Sequence, residues 1–381
     1  METTRRELVQ KSATLAAAAA VGWRTFGLPA ASLAAPPVGY GPLGDPDANG
    51  VRLPSGFRAR LLGRTGDPVL GTSYVWHPDP DGAATFATAD GGWILTVNSE
   101  DNGTAGGVSA IRFDSLGQPR SAYRILTGTK WNCAGGATPW GTWLSCEEFR
   151  NGRVWECNPF VPSQGVARPA LGVRPHEAAP VHPRTGFVYL TEDDHDGRLY
   201  RFRPDRRADL ASGALEVASV AASGAVSWLP ASPKQPYRKA DATVFDRGEG
   251  AWISRDVLYF STTANDRVWA LDLLTMKIKV IYDGQGANAA DALHEPDNVT
   301  VHERTGSAFV AEDADDIQLV QLVPSGAAWT AVPFLQFAGH DGSEVTGPVF
   351  SPDGSRLYVN SQRGIDGAGM TFEVTGPFAS R

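Results

Sequence analysis

The chain has little cysteine, little histidine and no excess of positive charge. Its 381 residues hold three cysteines, seven histidines and three methionines, and 34 basic against 42 acidic residues leave a net charge of −8. Nucleic-acid binding needs a basic face, so that class of partner is excluded. No Cys-x-x-Cys occurs and no histidine pair matches one, which argues against an ordinary structural zinc site. Beyond the N-terminus there is no long helix-forming run and no stretch of eighteen apolar residues, so no later segment reads as a membrane-spanning helix. Abundant instead are glycine (42), proline (27) and tryptophan (11). Frequent turns between aromatic-rich segments are the pattern of an all-β chain.

Arg5-Arg6 precede a small-residue apolar run from Ala13 to Trp23, and Ser32-Leu33-Ala34 offers a small-x-small cleavage site. Residues 1–34 therefore read as a twin-arginine (Tat) signal peptide, 35–50 as a linker and 51–381 as one domain. Removing the leader takes away four basic and two acidic residues and leaves 30 against 40, or −10. The expectation is a monomer handled by the Tat export machinery, periplasmic or extracellular, with no membrane partner once the leader is gone. Tat substrates leave the cell folded, commonly with a cofactor in place.

The mature sequence repeats one device: a strand, a turn, and a second strand ending in polar, often acidic residues. The second strands are GGWILTVNSED (91–101), GTWLSCEE (141–148), GFVYLTEDD (186–194), DVLYFSTTAND (256–266), GSAFVAEDADD (306–316) and GSRLYVNSQRG (354–364). Six such hairpins predict a single-domain, six-bladed β-propeller, the closed form that four-stranded sheets adopt in a radial array. A β-sandwich would need only seven to nine strands.

The turns set the register. His182-Pro-Arg-Thr-Gly186 and His302-Glu-Arg-Thr-Gly306 match at an offset of 120, which lays Glu177 on Asp297, Glu192 on Glu312 and Asp193 on Asp313. Aligning Gly141 and Gly354 with Gly186 lays Glu147 and Asn360 on Glu192, Asn132 on Glu177, and Glu344 on His176. Acids thus recur at the end of the second strand and the start of the first, which are neighbours in an antiparallel hairpin. Closure into a ring gathers them at one mouth of the central channel. Carboxylates so close repel unless protonated or bound to cations. Their number and hardness suit Ca²⁺, and a thiol among them suits a transition metal such as iron. That thiol is in WNCAGGATPWGTWLSCEEF (131–149), where Cys133 precedes a glycine pair and Glu147-Glu148 close the following strand. If Cys133 is a ligand, Cys146 and Cys157 are left as a possible disulfide pair.

Five blocks, NCAGGATPWGTWLSCEEF, RPHEAAPVHPRTGFVYLTEDD, FDRGEG, EPDNVTVHERTGSAFVAED and EVTGPVFSPDGSRLYVNSQRG, resemble in order those of the PhoX-type alkaline phosphatases. The resemblance runs from about residue 70 to the C-terminus. It implies a six-bladed propeller with an iron (Fe³⁺) and calcium (Ca²⁺) cluster in the axial channel, Tat export, and hydrolysis of a small phosphate ester. By the matching blocks it implies Cys133 as the iron thiolate and Glu148, Glu177, Glu249, Asp297, Glu312 and Glu344 as further metal ligands, beside Glu147 and Glu192 from the register. Arg363 or Asn298 would donate to phosphate, and His176 would protonate the leaving group or orient Glu177. The chain departs from the pattern in its shortness and in reading Gln362-Arg363-Gly364 where the family carries Gln-His-Pro-Gly. Two alternatives stand beside this reading: a lactonase-like propeller hydrolase with one calcium at Asp297-Asn298, and a non-catalytic binding propeller braced by calcium.

Overall fold

Six blades of antiparallel strands follow one another along the chain in a computed structural model of the protein. It describes residues 39–162, 165–286, 292–314, 316–326 and 328–378, and the expected signal peptide lies outside them. The first blade is Pro80–Ala87, Trp93–Ser99, Gly107–Phe113 and Pro119–Leu126; the second is Asn132–Ala137, Trp143–Glu147, Val154–Cys157 and Gly165–Ala167. The third is Val188–Leu190, Tyr200–Pro204, Gly213–Val220 and Val226–Pro230; the fourth is Gly248–Ser254, Val257–Thr262, Arg267–Asp272 and Lys277–Asp283. The fifth is Pro296–Val301, Ala308–Glu312, Gln318–Ser325 and Ala328–Phe337, with Val51–Arg52 added at its outer edge. The sixth is Val345–Phe350, Arg356–Ile365, Ala368–Thr375 and Arg58–Arg64. That last strand comes from the N-terminal end of the domain, so the ring is closed by pairing the two ends of the chain (Arg58 with Thr375, Arg64 with Met370). In the third blade the innermost position is taken by an irregular segment that makes two isolated bridges to the next strand, His176 with Glu192 and Val181 with Val188; Pro180 interrupts it.

All six hairpins expected from the sequence form, and no α-helix occurs among the described residues. Four of the six second strands, Trp93–Ser99, Trp143–Glu147, Val188–Leu190 and Ala308–Glu312, are buried along their whole length. Both faces of each blade are covered by its neighbours, which is why these strands read as continuous apolar runs rather than alternating ones. Six separate apolar clusters fill the six seams. Trp93, Leu95 and Tyr358 join the first and sixth blades; Leu144, Leu190 and Phe202 join the second and third; Phe309, Phe334 and Phe372 join the fifth and sixth. The outer strands are half-exposed, as in Ala328–Phe337.

Close to the axis the inner strands touch backbone to backbone, and only glycine fits. A Cβ built on Gly250 would lie 2.5 Å from Cα of Asn298 in the next blade, and Gly82, Gly136 and Gly347 meet neighbouring main chain in the same way. Gly250→Ala should therefore cost about 1–3 kcal/mol of overpacking strain. Urea unfolding would measure it, and a loss below about 0.5 kcal/mol would mean the inner strands are free to move apart.

Candidate metal and phosphate site

Each inner strand carries one extra residue at the same level. Between Pro80–Ser99 and Ala83–Val97 two residues face one, and the same holds between Asn132–Glu147 and Gly135–Ser145, Gly248–Thr262 and Ala251–Phe260, Pro296–Glu312 and Val299–Val310, and Thr346–Asn360 and Val349–Tyr358. In the third blade four residues face three between its two bridges. A bulge of this kind twists the strand and re-aims its side chains. The first bulged residues are Asp81, Cys133, Glu249, Asp297 and Gly347, and Glu177 follows the pair His176–Glu192 as Cys133 follows Asn132–Glu147.

This corrects the alignment drawn from the turns. Asn132 is the counterpart of His176, not of Glu177, because the connection in the second blade (138–142) is one residue shorter than that in the third (182–187). Glu344 lies one residue before Val345, which faces Ser361, and so is not the counterpart of His176.

The bulges are held from the next blade. The Asn98 amide donates to the carbonyl oxygens of Cys133 and Ala134, both at 2.8 Å. The Asn360 amide donates to the Asp81 carbonyl at 2.9 Å, and the Ser261 hydroxyl to that of Asp297. Asn298 donates its amide to Asp297 Oδ1 at 3.0 Å and toward Glu177 Oε1 at 3.4 Å, while its own oxygen accepts from the Gly347 N–H at 2.7 Å. It is thus a buried cross-brace that orients two carboxylates, and it does not line the cavity at the channel mouth.

Three groups of donors result: Asp81, Glu100 and Cys133; Cys133, Glu148 and Glu177; and Glu177, Glu249 and Asp297. Within each, one donor atom per residue lies within 4.8 Å of the others. Shared Cys133 and Glu177 link the groups into one arc of a thiol and six carboxylates. Next to it, a cavity of about 170 Å³ is lined by Glu100, Glu148, Glu249 and Asp297 of the arc, by Asp313 and Glu344, and by Arg247 and Arg363. Arg363 pairs with Glu344 at 2.8 Å, and Arg247 holds both oxygens of Asp193 at 2.8 and 2.9 Å.

So much buried carboxylate with two guanidinium groups is electrostatically incomplete. Burial pushes Asp81 up to about 6, and burial with the nearby Asp81 pushes Glu100 up to about 8. Burial first and neighbouring acids second raise Glu148, Glu177, Glu249, Asp297 and Glu344 well above the usual carboxylate range, and burial then Asp81 raise the Cys133 thiol. Asp81 Oδ1 and Glu177 Oε2 are buried with no hydrogen-bond partner. Unpaired buried charge is costly, and bound cations remove the cost. The donor set fits them: hard oxygens for one kind of ion and a single sulfur for a softer one.

The structure does not bring Glu147, Glu192 and Glu312 into these groups. They are buried, but each carboxylate accepts the backbone N–H six residues ahead, from Arg153, Arg198 and Gln318, and so closes the loop between second and third strands. Glu192 also pairs with Arg238 at 2.8 Å. The cause is the two-residue period of a strand: Glu147 points away from the channel, and Glu148, one residue on, points toward it. Glu100, Asp193 and Asp313 occupy the same next position in their blades. Sequence reasoning aligned Asp193 with Asp313 but gave neither a site role, and it passed over Glu100, Asp81, Arg247 and Gln362, whose amide donates to Asp81 and Glu100 at 2.7 Å; the Asp81-Gly82 pair opening a strand was the signal for the bulge. His176 is fully buried with Nε2 on the Gly172 carbonyl at 3.1 Å, burial followed by Arg174 pushes it down to about 3, and it stands outside both the donor groups and the cavity lining. Cys133, Cys146 and Cys157 are all free thiols, so the pair left open by the sequence is not a disulfide.

The family described as alkaline phosphatase PhoX matches residues 96–158, 150–280 and 261–364. A solved structure of PhoX from Pseudomonas fluorescens in complex with vanadate, a transition state analogue, superposes with a TM-score of 0.71 at 18% identity, over 86% of this chain and 96% of that one. A protein of unknown function from Bacteroides thetaiotaomicron has a TM-score of 0.51 at 10% identity, over 84% and 76%. At these identities the structures show a shared fold. No curated protein sequence matches the chain.

Proposed function

The chain belongs to the alkaline phosphatase PhoX family, metal-dependent hydrolases of phosphate monoesters, and from that premise we propose that its channel mouth holds calcium together with iron. The observation that carries this is the arc of one thiol and six carboxylates, two of whose oxygens are buried without a partner. Asp81, Glu100, Glu148, Glu177, Glu249 and Asp297 would share the ions, with Cys133 as the thiolate on iron. Such ions, when bound, neutralise phosphate charge and lower the pKa of a coordinated water.

The chain's own residues do the positioning. Arg363 and Arg247 line the mouth from two blades, each with its planar fork preset by a carboxylate, Glu344 and Asp193, and a guanidinium fork matches two phosphate oxygens. Preset donors need little reorganisation when charge develops on the phosphoryl group. Asn298 keeps Glu177 and Asp297 turned inward. The twin arginine Arg5-Arg6 supports export in the folded state with ions already loaded, to the periplasm or outside the cell.

The test is metal analysis of the purified protein and an assay of p-nitrophenyl phosphate with calcium and iron supplied. Hydrolysis is expected, with Arg363→Ala lowering kcat/KM by about 10–100-fold through loss of a charged phosphate contact. A metal-replete protein that releases no phosphate would overturn the assignment.

A further inference from the structure

Beside the mouth lies a wider groove of about 760 Å³, and Arg247, Thr263 and Asp313 line both. The groove adjoining the mouth offers room for the alcohol part of a phosphate ester held there. Apart from Asp313, the groove's charged side chains among the described residues are Asp266, Glu295 and Asp316 on one side of the balance and Arg247 on the other. Arg247 faces two further acids, pairing with Asp193 at 2.8 Å and lying 3.2 Å from Glu249. Two of these acids have neutral donors: Asp266 accepts from the Glu295 backbone N–H at 2.8 Å and Asp316 from the Gln318 amide at 2.5 Å. Their negative charge is felt nearby, since both contribute to raising Glu312 after burial has done so. His195 and Gln285 add hydrogen-bonding groups, and among the described residues no large apolar side chain lines the space.

We infer that this groove is the leaving-group subsite, and that it selects monoesters whose alcohol is hydrophilic and positively charged while disfavouring alcohols with a further negative charge. The inference rests on the phosphatase reading above. Like charges brought together are a device for rejecting the wrong ligand, and opposite charges admit the right one.

Three esters of primary alcohols make the test: phosphocholine, glycerol 3-phosphate and 3-phosphoglycerate, whose departing alcohols are cationic, neutral and anionic. With the metal-replete enzyme, kcat/KM for phosphocholine should exceed that for 3-phosphoglycerate by about tenfold or more. Asp266→Asn combined with Asp316→Asn should bring that ratio within about threefold. Asn keeps the acceptor oxygen at both places and tolerates the left-handed backbone of Asp266 (φ 51°); Asp316→Asn alone, at an exposed position, serves if the double variant does not fold. Equal rates on all three esters would overturn the groove's role and leave the phosphatase intact. A preference that survives both substitutions would overturn the part given to these two acids. Failure on every ester, p-nitrophenyl phosphate included, would overturn the phosphatase reading itself.

Discussion

Cys133→Ser will come off purification folded, short of its transition metal, and about 100-fold or more down in phosphomonoesterase activity. The thiol belongs to two of the three donor groups, so it sits where they join. Serine fills the space, yet its hydroxyl is a poorer and harder donor than a thiolate and is not ionised by the same metal. The other two cysteines are internal controls. Cys146 packs in the seam between second and third blades and Cys157 in the seam between first and second, both fully enclosed by apolar side chains. Serine at either should cost stability and leave metal content and activity in place. Mass spectrometry of the metal in all three variants decides the matter; a Cys133→Ser protein with the wild-type metal ratio would remove the thiolate from the mechanism.

Chelation should lower the melting temperature by roughly 10 °C or more, and by more at alkaline than at acid pH. Each close carboxylate pair repels by about 1–4 kcal/mol in a partly wet site, and a kilocalorie is worth about 2–4 °C in a domain somewhat smaller than this one. Without cations the acids relieve that repulsion by holding protons. Glu100 rises from 4.5 to about 8 and Asp81 from 3.8 to about 6. A carboxyl raised in the folded state contributes stability that is fully present below its unfolded value and lost as pH climbs through the folded one. The metal-free protein should thus melt highest near pH 4 and lose stability steadily up to about pH 8, whereas the loaded protein should show no such slope. Calorimetry across that range, with and without chelator, gives both curves. Coincident curves after verified metal loss would show that the arc does not hold cations.

The six hairpins were legible because their determinants are local. Turn residues such as His302-Glu-Arg-Thr-Gly306 fix where each hairpin reverses, and the polar strand ends mark the channel side. The direction of each side chain was not, because it depends on parity. In Cys146-Glu147-Glu148 two chemically identical acids differ only in which face of the strand they occupy, and one closes a loop while the other reaches the channel. The bulges add a second shift of one residue that composition hardly records. Asp81 and Cys133 share a structural position although Gly82 follows one and Ala134 the other. Arg247 was overlooked for a further reason: it acts through Asp193, a residue fifty-four positions away, and no local pattern predicts such a pair.

Ring closure through Arg58–Arg64 has a kinetic side. Arg58 meets Thr375, 317 residues later, so the last seam cannot form until almost the whole chain has been synthesised. Contacts this distant raise the contact order, and such topologies fold slowly because the loop must be closed before the pairing rewards it. The donors of the arc come from five of the six blades, from Asp81 to Asp297, so an ion that bridges them would tie early and late parts of the chain before the final strand zips. Cations available during synthesis would then act as folding templates, and a chain made without them would wait as an open arc with its seams exposed.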